Sequence, residues 1–342
     1  MHQARVQHEH HHETGIMRKK SIHVILLVIG LCIVALLIRK VGFDHFVDIL
    51  RTADKMVWIL GLAAYFLSMV VRGFKWFMLA RVHKPVPFLP FLSLYLVNAV
   101  IGNITPFKSG EAAAPLLMKK NFRIDLGKGF SILLLDRIFE ILMLIVFLMF
   151  SFFYLYAHAK LDTILSRSIF SAAVLMVVIL IAFLLVLFNR RIGFSIIDWL
   201  AGWKRWHWLK QKIDRIRDEL SQFYQASMIL RKKRLFFSLL FSTLLCWFAQ
   251  FTALWLVVIS VVTVDFLPSL VAQGIAFPVS VLSFIPAGLG ITAVSYQYVM
   301  SMFGYPYDDV ISAVLFSRVL FLALIFLSGM IATFYLQKIN RE

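Results

Sequence analysis

Residues 22–38, 56–80, 129–157, 168–188, 235–262 and 310–336 are apolar almost without a break. A helix rises about 1.5 Å per residue, so each run can cross the roughly 30 Å hydrocarbon core of a bilayer. The composition agrees. The chain is 61% hydrophobic with a mean hydropathy of +0.84, where a soluble domain is about 45–50% apolar. The fold class is an all-α integral membrane protein.

The loops give an orientation. "MRKK" before the first run, "RVHK" (81–84), "MKKNFR" (118–123) and the whole of 189–234 are basic, whereas "VTVDFLP" (262–268) and "GYPYDD" (304–309) carry no Lys or Arg. The positive-inside rule puts the first group in the cytoplasm and the second outside. Both termini are then cytoplasmic, in a cell (inner) membrane. The loop 39–55 is the exception, lying outside yet carrying Arg39, Lys40, Arg51 and Lys55. The excess of 35 Lys+Arg over 18 Asp+Glu, a formal +17, suits cytoplasmic loops and anionic lipid. It does not indicate nucleic acid, because no soluble basic domain accompanies it.

Two further apolar stretches, 88–118 and 269–303, are interrupted at "TPFKSGE" and "IPAGLG". Their second arms are too short to cross. The first begins and ends in basic loops and the second in neutral or acidic ones, so each enters and leaves on one side. Six full spans and two re-entrant hairpins of opposite orientation are therefore expected. An internal repeat agrees. Arg137 and Arg318 follow the hairpin prolines Pro106 and Pro286 by 31 and 32 residues (137 − 106; 318 − 286). Trp76 and Trp255 precede the same prolines by 30 and 31 (106 − 76; 286 − 255). The chain divides into a His-rich tail (1–20), repeat I (21–157) and repeat II (168–336), related by inverted topology. Paired Gly/Pro-broken segments in two such halves point to a transport site.

The linker 189–234 belongs to repeat II. Leu209, Ile213, Ile216, Leu220 and Phe223 recur at three- or four-residue spacing among basic residues, which reads as an amphipathic helix on the inner leaflet. Trp199, Trp203, Trp206 and Trp208 would sit at headgroup level. Cys32 and Cys246 both lie in apolar runs, so no disulfide framework is expected. Neither a metal nor another cofactor is implied, and the His-rich tail is read as disordered rather than as a zinc site.

A broken helix is tolerated at membrane depth only where its freed backbone is buried in protein or lines a wet cavity. The two hairpin tips should therefore meet inside the bundle. Helix N-termini after Ser109 and after Gly290 would present free N–H groups to an anion. Charges at that depth cost about 2.5–3.5 kcal/mol each on insertion scales, so Arg72, Lys75, Lys108, Glu111, Asp136, Arg137, Glu140 and Arg318 need a reason to be there. Lys75 has an alternative, snorkelling to the inner surface. Arg137 and Glu140, and Asp136 and Glu140, can share a helix face. Glu111 stands out, at a break, beside Gly110 and three residues after Lys108. It could neutralise that lysine, accept a proton, contact a cationic headgroup or simply cap the arm. Asn103, Pro106, Gly110, Pro286, Gly288 and Gly290 complete the candidate substrate-binding set. No catalytic motif is present, and an enzymatic role is not expected.

The pattern N-x-x-P-x-K-x-G-E at 103–111, "LLLDR" at 133–137, P-x-G-L-G at 286–290 and "SR" at 317–318 resembles the flippase-like transmembrane region of lysylphosphatidylglycerol synthase. That region is the membrane half of the multiple peptide resistance factor and also occurs alone. "RGFKW" at 72–76 is similar to the family's Arg-x-x-Arg-Trp, with Lys75 in the second position. The resemblance implies a lipid flippase with two re-entrant segments. The aminoacyltransferase domain of the longer relatives has no counterpart in these residues, so synthase activity is not carried over. Ala114 stands where the family often has arginine, and Ala293 where it often has glutamate.

The expected function is movement of an anionic phospholipid or polyprenyl-phosphate-type lipid between leaflets. Lys108, Arg137, Arg318 and the hairpin N-termini would hold the phosphate, and the carboxylates would balance charge. The alternatives are a small-solute or ion transporter, and a non-transporting membrane partner of a lipid-modifying synthase or glycosyltransferase. The partners implied are membrane lipids, with a homodimer compatible with the sequence.

Overall fold

The computed structural model describes residues 43–158, 163–192, 194–195, 213–227, 232–282 and 290–339. The tail 1–20, the expected span 22–38, the four linker tryptophans, Pro286 and Gly288 lie outside the described residues. Every regular element is helical: α1 (Phe43–Thr52), α2 (Lys55–His83), α3 (Phe88–Ile104), a 3-10 helix (Pro106–Ala113), α4 (Ala114–Phe122), α5 (Leu126–His158), α6 (Thr163–Phe188), α7 (Ile213–Ser227), α8 (Lys233–Ile259), α9 (Phe266–Leu282), α10 (Ile291–Ser301) and α11 (Tyr307–Ile339). Among the described residues α2, α5, α8 and α11 are long and apolar enough to cross a membrane.

Local chemistry fixes the ends. Asp54 caps α2, accepting from the Met56 and Val57 N–H groups at 2.9 and 3.3 Å, the usual way to satisfy a helix's first free donors. Proline stands at the start of the 3-10 helix and again at the start of α4, where its missing N–H costs nothing. Helix α4 stops at Arg123, whose left-handed backbone (φ 54°) turns its N–H back to Lys119 and Met118. Such a C-terminal turn is more commonly made by glycine.

Helices α2 and α8 pack antiparallel along their length. The Asp54 N–H donates to the Ser260 carbonyl at 3.0 Å, a Cβ on Gly61 would lie 2.7 Å from Val257, the Cys246 thiol donates to the Ser68 carbonyl, and Ser238 donates to the Met78 sulfur. Around this pair the contacts are reciprocal. Helix α3 packs on α11, and α9 packs on α5. Glycine permits each approach: a Cβ on Gly329 would fall 2.2 Å from a Val100 methyl, and one on Gly274 2.2 Å from the Ser151 hydroxyl.

Both interrupted stretches close on themselves. Lys84 Nζ donates to the Phe122 carbonyl at 2.9 Å, so the chain before α3 meets the chain after α4. Tyr305 donates to Asp265 Oδ2 at 2.9 Å and accepts from its N–H, joining the start of α9 to the end of α10. The Tyr296 hydroxyl further ties α10 to Ser269 of α9 at 2.7 Å.

The surface is apolar where lipid would lie, with Phe153, Phe237, Phe241, Ile331 and Phe334 all more than half exposed. The buried apolar residues form two clusters. Along α5 one ends at Phe139 and the other resumes at Met143; along α8 the break lies between Leu239 and Cys246 or Trp247. The charged residues occupy that seam. In the linker, Leu209 lies outside the described residues, and α7 packs against α5 and α6, burying Phe223 and Tyr224.

Candidate functional site

Helix α2 contributes Arg72 and Lys75, one turn apart, and α5 contributes Asp136, Arg137 and Glu140. Lys75 Nζ lies 2.5 Å from Asp136 Oδ1, and both side chains are at most 1% exposed. The same ammonium donates to Thr243 Oγ1 of α8 at 3.3 Å, and Thr243 in turn donates to the Leu239 carbonyl. Arg72 Nε stands 3.0 Å from Glu140 Oε1 while its guanidinium lies over the Trp247 ring, 5.9 Å from the centroid. Arg137 reaches three carboxylates: Glu140 at 2.6 Å, Asp136 at 3.2 Å, and Glu111 through Nη2. Among the described residues, Arg72, Lys75 and Arg137 thus face Glu111, Asp136 and Glu140, three cations against three anions.

Burial this deep is tolerated because the charges pair and hydrogen-bond. Snorkelling by Lys75 is excluded by its partners and its burial. Nor do Asp136 and Arg137 lie near a helix end: α5 begins at Leu126, which puts Arg137 about 16 Å along its axis.

Glu111 connects this cluster to the hairpin tip. It belongs to the 3-10 helix, which starts at Pro106 rather than after Ser109. Gly102 makes room for it, since a Cβ there would sit 2.6 Å from Glu111 Cγ. Thr105 Oγ1 accepts from the Gly110 N–H at 2.7 Å, and a Cβ on Gly110 would meet the Ile101 carbonyl at 2.6 Å. At 110 the tip is wound tightly enough that only glycine fits, whereas at 102 a Cβ would meet only the Glu111 side chain. Glu111 turns to Arg137, and neither the 3-10 helix nor α4 has a side-chain cap at its start.

The remaining candidates divide. Asn103 donates to the Ala99 carbonyl of its own helix at 2.8 Å and makes no recorded link to the cluster. For Pro106 and Lys108 the backbone is described and lies in the 3-10 helix. Gly290 has φ 85° and precedes α10 without a side-chain cap, as expected for a half-helix start. Arg318, in α11, stands apart from the cluster over the Phe277 ring at 5.4 Å. Thr243 was not legible in sequence, because a threonine inside an apolar run carries no signal until its neighbour is known.

The fold and this interior define a class: a helical membrane protein with a buried ion cluster beside a broken helix. The sequence model of the family described as "Lysylphosphatidylglycerol synthase TM region" matches residues 23–329, and the chain belongs to that family. It is also similar to a UPF0104 membrane protein of Pyrococcus horikoshii, 25% identical over 285 residues, covering 79% of this chain and 84% of that protein.

Proposed function

We propose that the chain is a flippase-like transporter that moves an anionic phospholipid or a polyprenyl-phosphate-type lipid between leaflets. In this reading 88–118 and 269–303 are re-entrant hairpins of opposite orientation within two inverted repeats, and both termini are cytoplasmic. The reciprocal packing of α3 on α11 and α9 on α5 is what two such repeats would give. The basic ends around Lys84, Lys119, Lys120 and Arg123 and the acidic end around Asp265, Asp308 and Asp309 support the orientation.

The observation that carries the reading is the contact of Glu111 with Arg137. It joins a broken hairpin to a membrane-depth ion cluster, the arrangement by which transporters couple substrate to a movable element. An arriving phosphate competes with Glu111 for Arg137 and frees the hairpin. Arg318, Lys108 and the start of α10 offer further positive potential. Rocking of the halves then exposes the headgroup on the other side. Nothing here requires a bond to be made or broken, so the chain needs no catalysis of its own.

The experiment is translocation of a headgroup-labelled anionic phospholipid in proteoliposomes. Wild type should exceed protein-free vesicles, and Glu111→Ala and Arg137→Gln should lose most of that excess. Equal rates in wild type and empty vesicles would refute transport. Unchanged rates in both variants would refute the roles given to them.

A further inference from the structure

Arg137 has three carboxylates around it, whereas among the described residues its counterpart in the second half has none. Arg318 occupies the matching position in α11, yet its Nε and Nη2 are buried without a hydrogen-bond partner. The positions that supply acids beside Arg137 are here Ser317, which donates to the Val314 carbonyl at 2.6 Å, and Phe321, stacked on Tyr65 with ring centroids 4.1 Å apart. Phe277 lies under the guanidinium. Outside the linker the acids of this half, Asp265, Asp308 and Asp309, belong to the loop before α9 and the first turn of α11, and Asp309 lies about 13 Å along the helix axis from Arg318.

An aromatic face offsets only part of the cost of holding a guanidinium out of water. A buried cation that keeps free N–H groups is costly unless something else supplies the charge. Among the described residues the cluster in the first half has no acid to spare: its three acids are matched by Arg72, Lys75 and Arg137. Among the described residues, the seam between the two apolar clusters therefore carries one uncompensated positive charge.

We propose that Arg318 is the primary anion-binding residue, and that it takes one oxyanion carrying a single net negative charge. The two free N–H groups match two oxygens of a phosphodiester, the planar fork geometry in which arginine binds phosphate and carboxylate. Phe277 and Tyr65 with Phe321 wall the site with apolar surface, which suits an anion attached to a hydrocarbon and excludes a heavily hydrated one. Arg137 is then the gate, already matched by its acids, and Arg318 is the seat. The inference rests on the reading that an anionic headgroup enters the bundle. It is tested by binding, independently of whether anything is moved.

The full chain is purified in neutral detergent and offered phosphatidylglycerol, phosphatidylcholine or inorganic phosphate. Retained lipid is counted by native mass spectrometry and the melting temperature is followed. Wild type should retain phosphatidylglycerol in preference to phosphatidylcholine, whose ammonium already neutralises its phosphate. Arg318→Gln should weaken phosphatidylglycerol retention at least about tenfold, as expected for loss of a charge-assisted pair, and Arg318→Lys should keep part of it. In the absence of any anion, Arg318→Met should melt at or above wild type. Stabilisation by phosphatidylglycerol alone identifies a lipid headgroup, and stabilisation by inorganic phosphate as well identifies a soluble anion; either must vanish in Arg318→Gln. Wild-type retention by Arg318→Gln, or a lower melting temperature for anion-free Arg318→Met, would overturn the proposal. A transport failure with arginine-dependent binding intact would refute translocation and leave this site standing.

Discussion

Two ion pairs in the cluster have different exposure and different work. Lys75 and Asp136 are sealed, at 1% and 0% exposed, while Arg137 and Glu111 are at 25% and 13%. Removing one member of a sealed pair strands its partner. Asp136→Asn should therefore destabilise by about 3–5 kcal/mol, read as loss of thermal stability in detergent. Replacing both with apolar residues, Lys75→Met with Asp136→Leu, should restore most of it, because the desolvation penalty leaves with the charges. Outside the membrane, Lys128 donates to Asp125 at 2.6 Å and holds that carboxyl below the usual range. A depressed folded value gives stability that is present above the unfolded value near 3.9 and lost as pH falls through the folded one. The melting difference between wild type and Asp125→Asn should accordingly be small at neutral pH and vanish in acid. Most of these residues were legible as charges in apolar runs. Of their pairings, Arg137 with Glu140 was legible from helix spacing; Arg137 with Glu111, 26 residues apart in the chain, was not.

Elements depend on closeness that only small residues allow. Gly102 lets α3 pass over Glu111, and Gly274 lets α9 lie on α5. Gly274→Val should separate α9 from α5 and cost several kcal/mol, since the added atoms meet the Phe147 carbonyl as well as a side chain. Gly102→Ala should leave the helices in place but displace Glu111. Its signature is reduced transport with a nearly unchanged melting temperature. Asp54→Ala removes the cap of α2 and should cost about 1 kcal/mol. The long helices announced themselves by length and apolarity, to within a few residues at each end. The 3-10 helix did not. "PFKSGEAA" contains no apolar period, and its winding is set by Thr105, Gly110 and the carbonyl of Ile101. For the linker helix, amphipathicity reveals an apolar face without saying whether lipid or protein covers it.

The whole molecule reads as two apolar clusters with a charged seam between them, crossed by α2, α5, α8 and α11. Among the described residues the seam pairs its charges around Arg137 and leaves Arg318 Nε and Nη2 without a hydrogen-bond partner. In the proposed function this asymmetry gives an anion one preferred seat and the hairpin one preferred latch. In the proposed function the latch, Glu111 with Arg137, works during transport, whereas Lys75 with Asp136 only holds the helices together. The most direct test compares headgroup-labelled lipid translocation by Glu111→Gln and by the Lys75→Met, Asp136→Leu double variant in the same proteoliposomes. Translocation should be lost in Glu111→Gln and largely kept in the double variant. Full activity in Glu111→Gln, or equal loss in both at unchanged folded content, would contradict it.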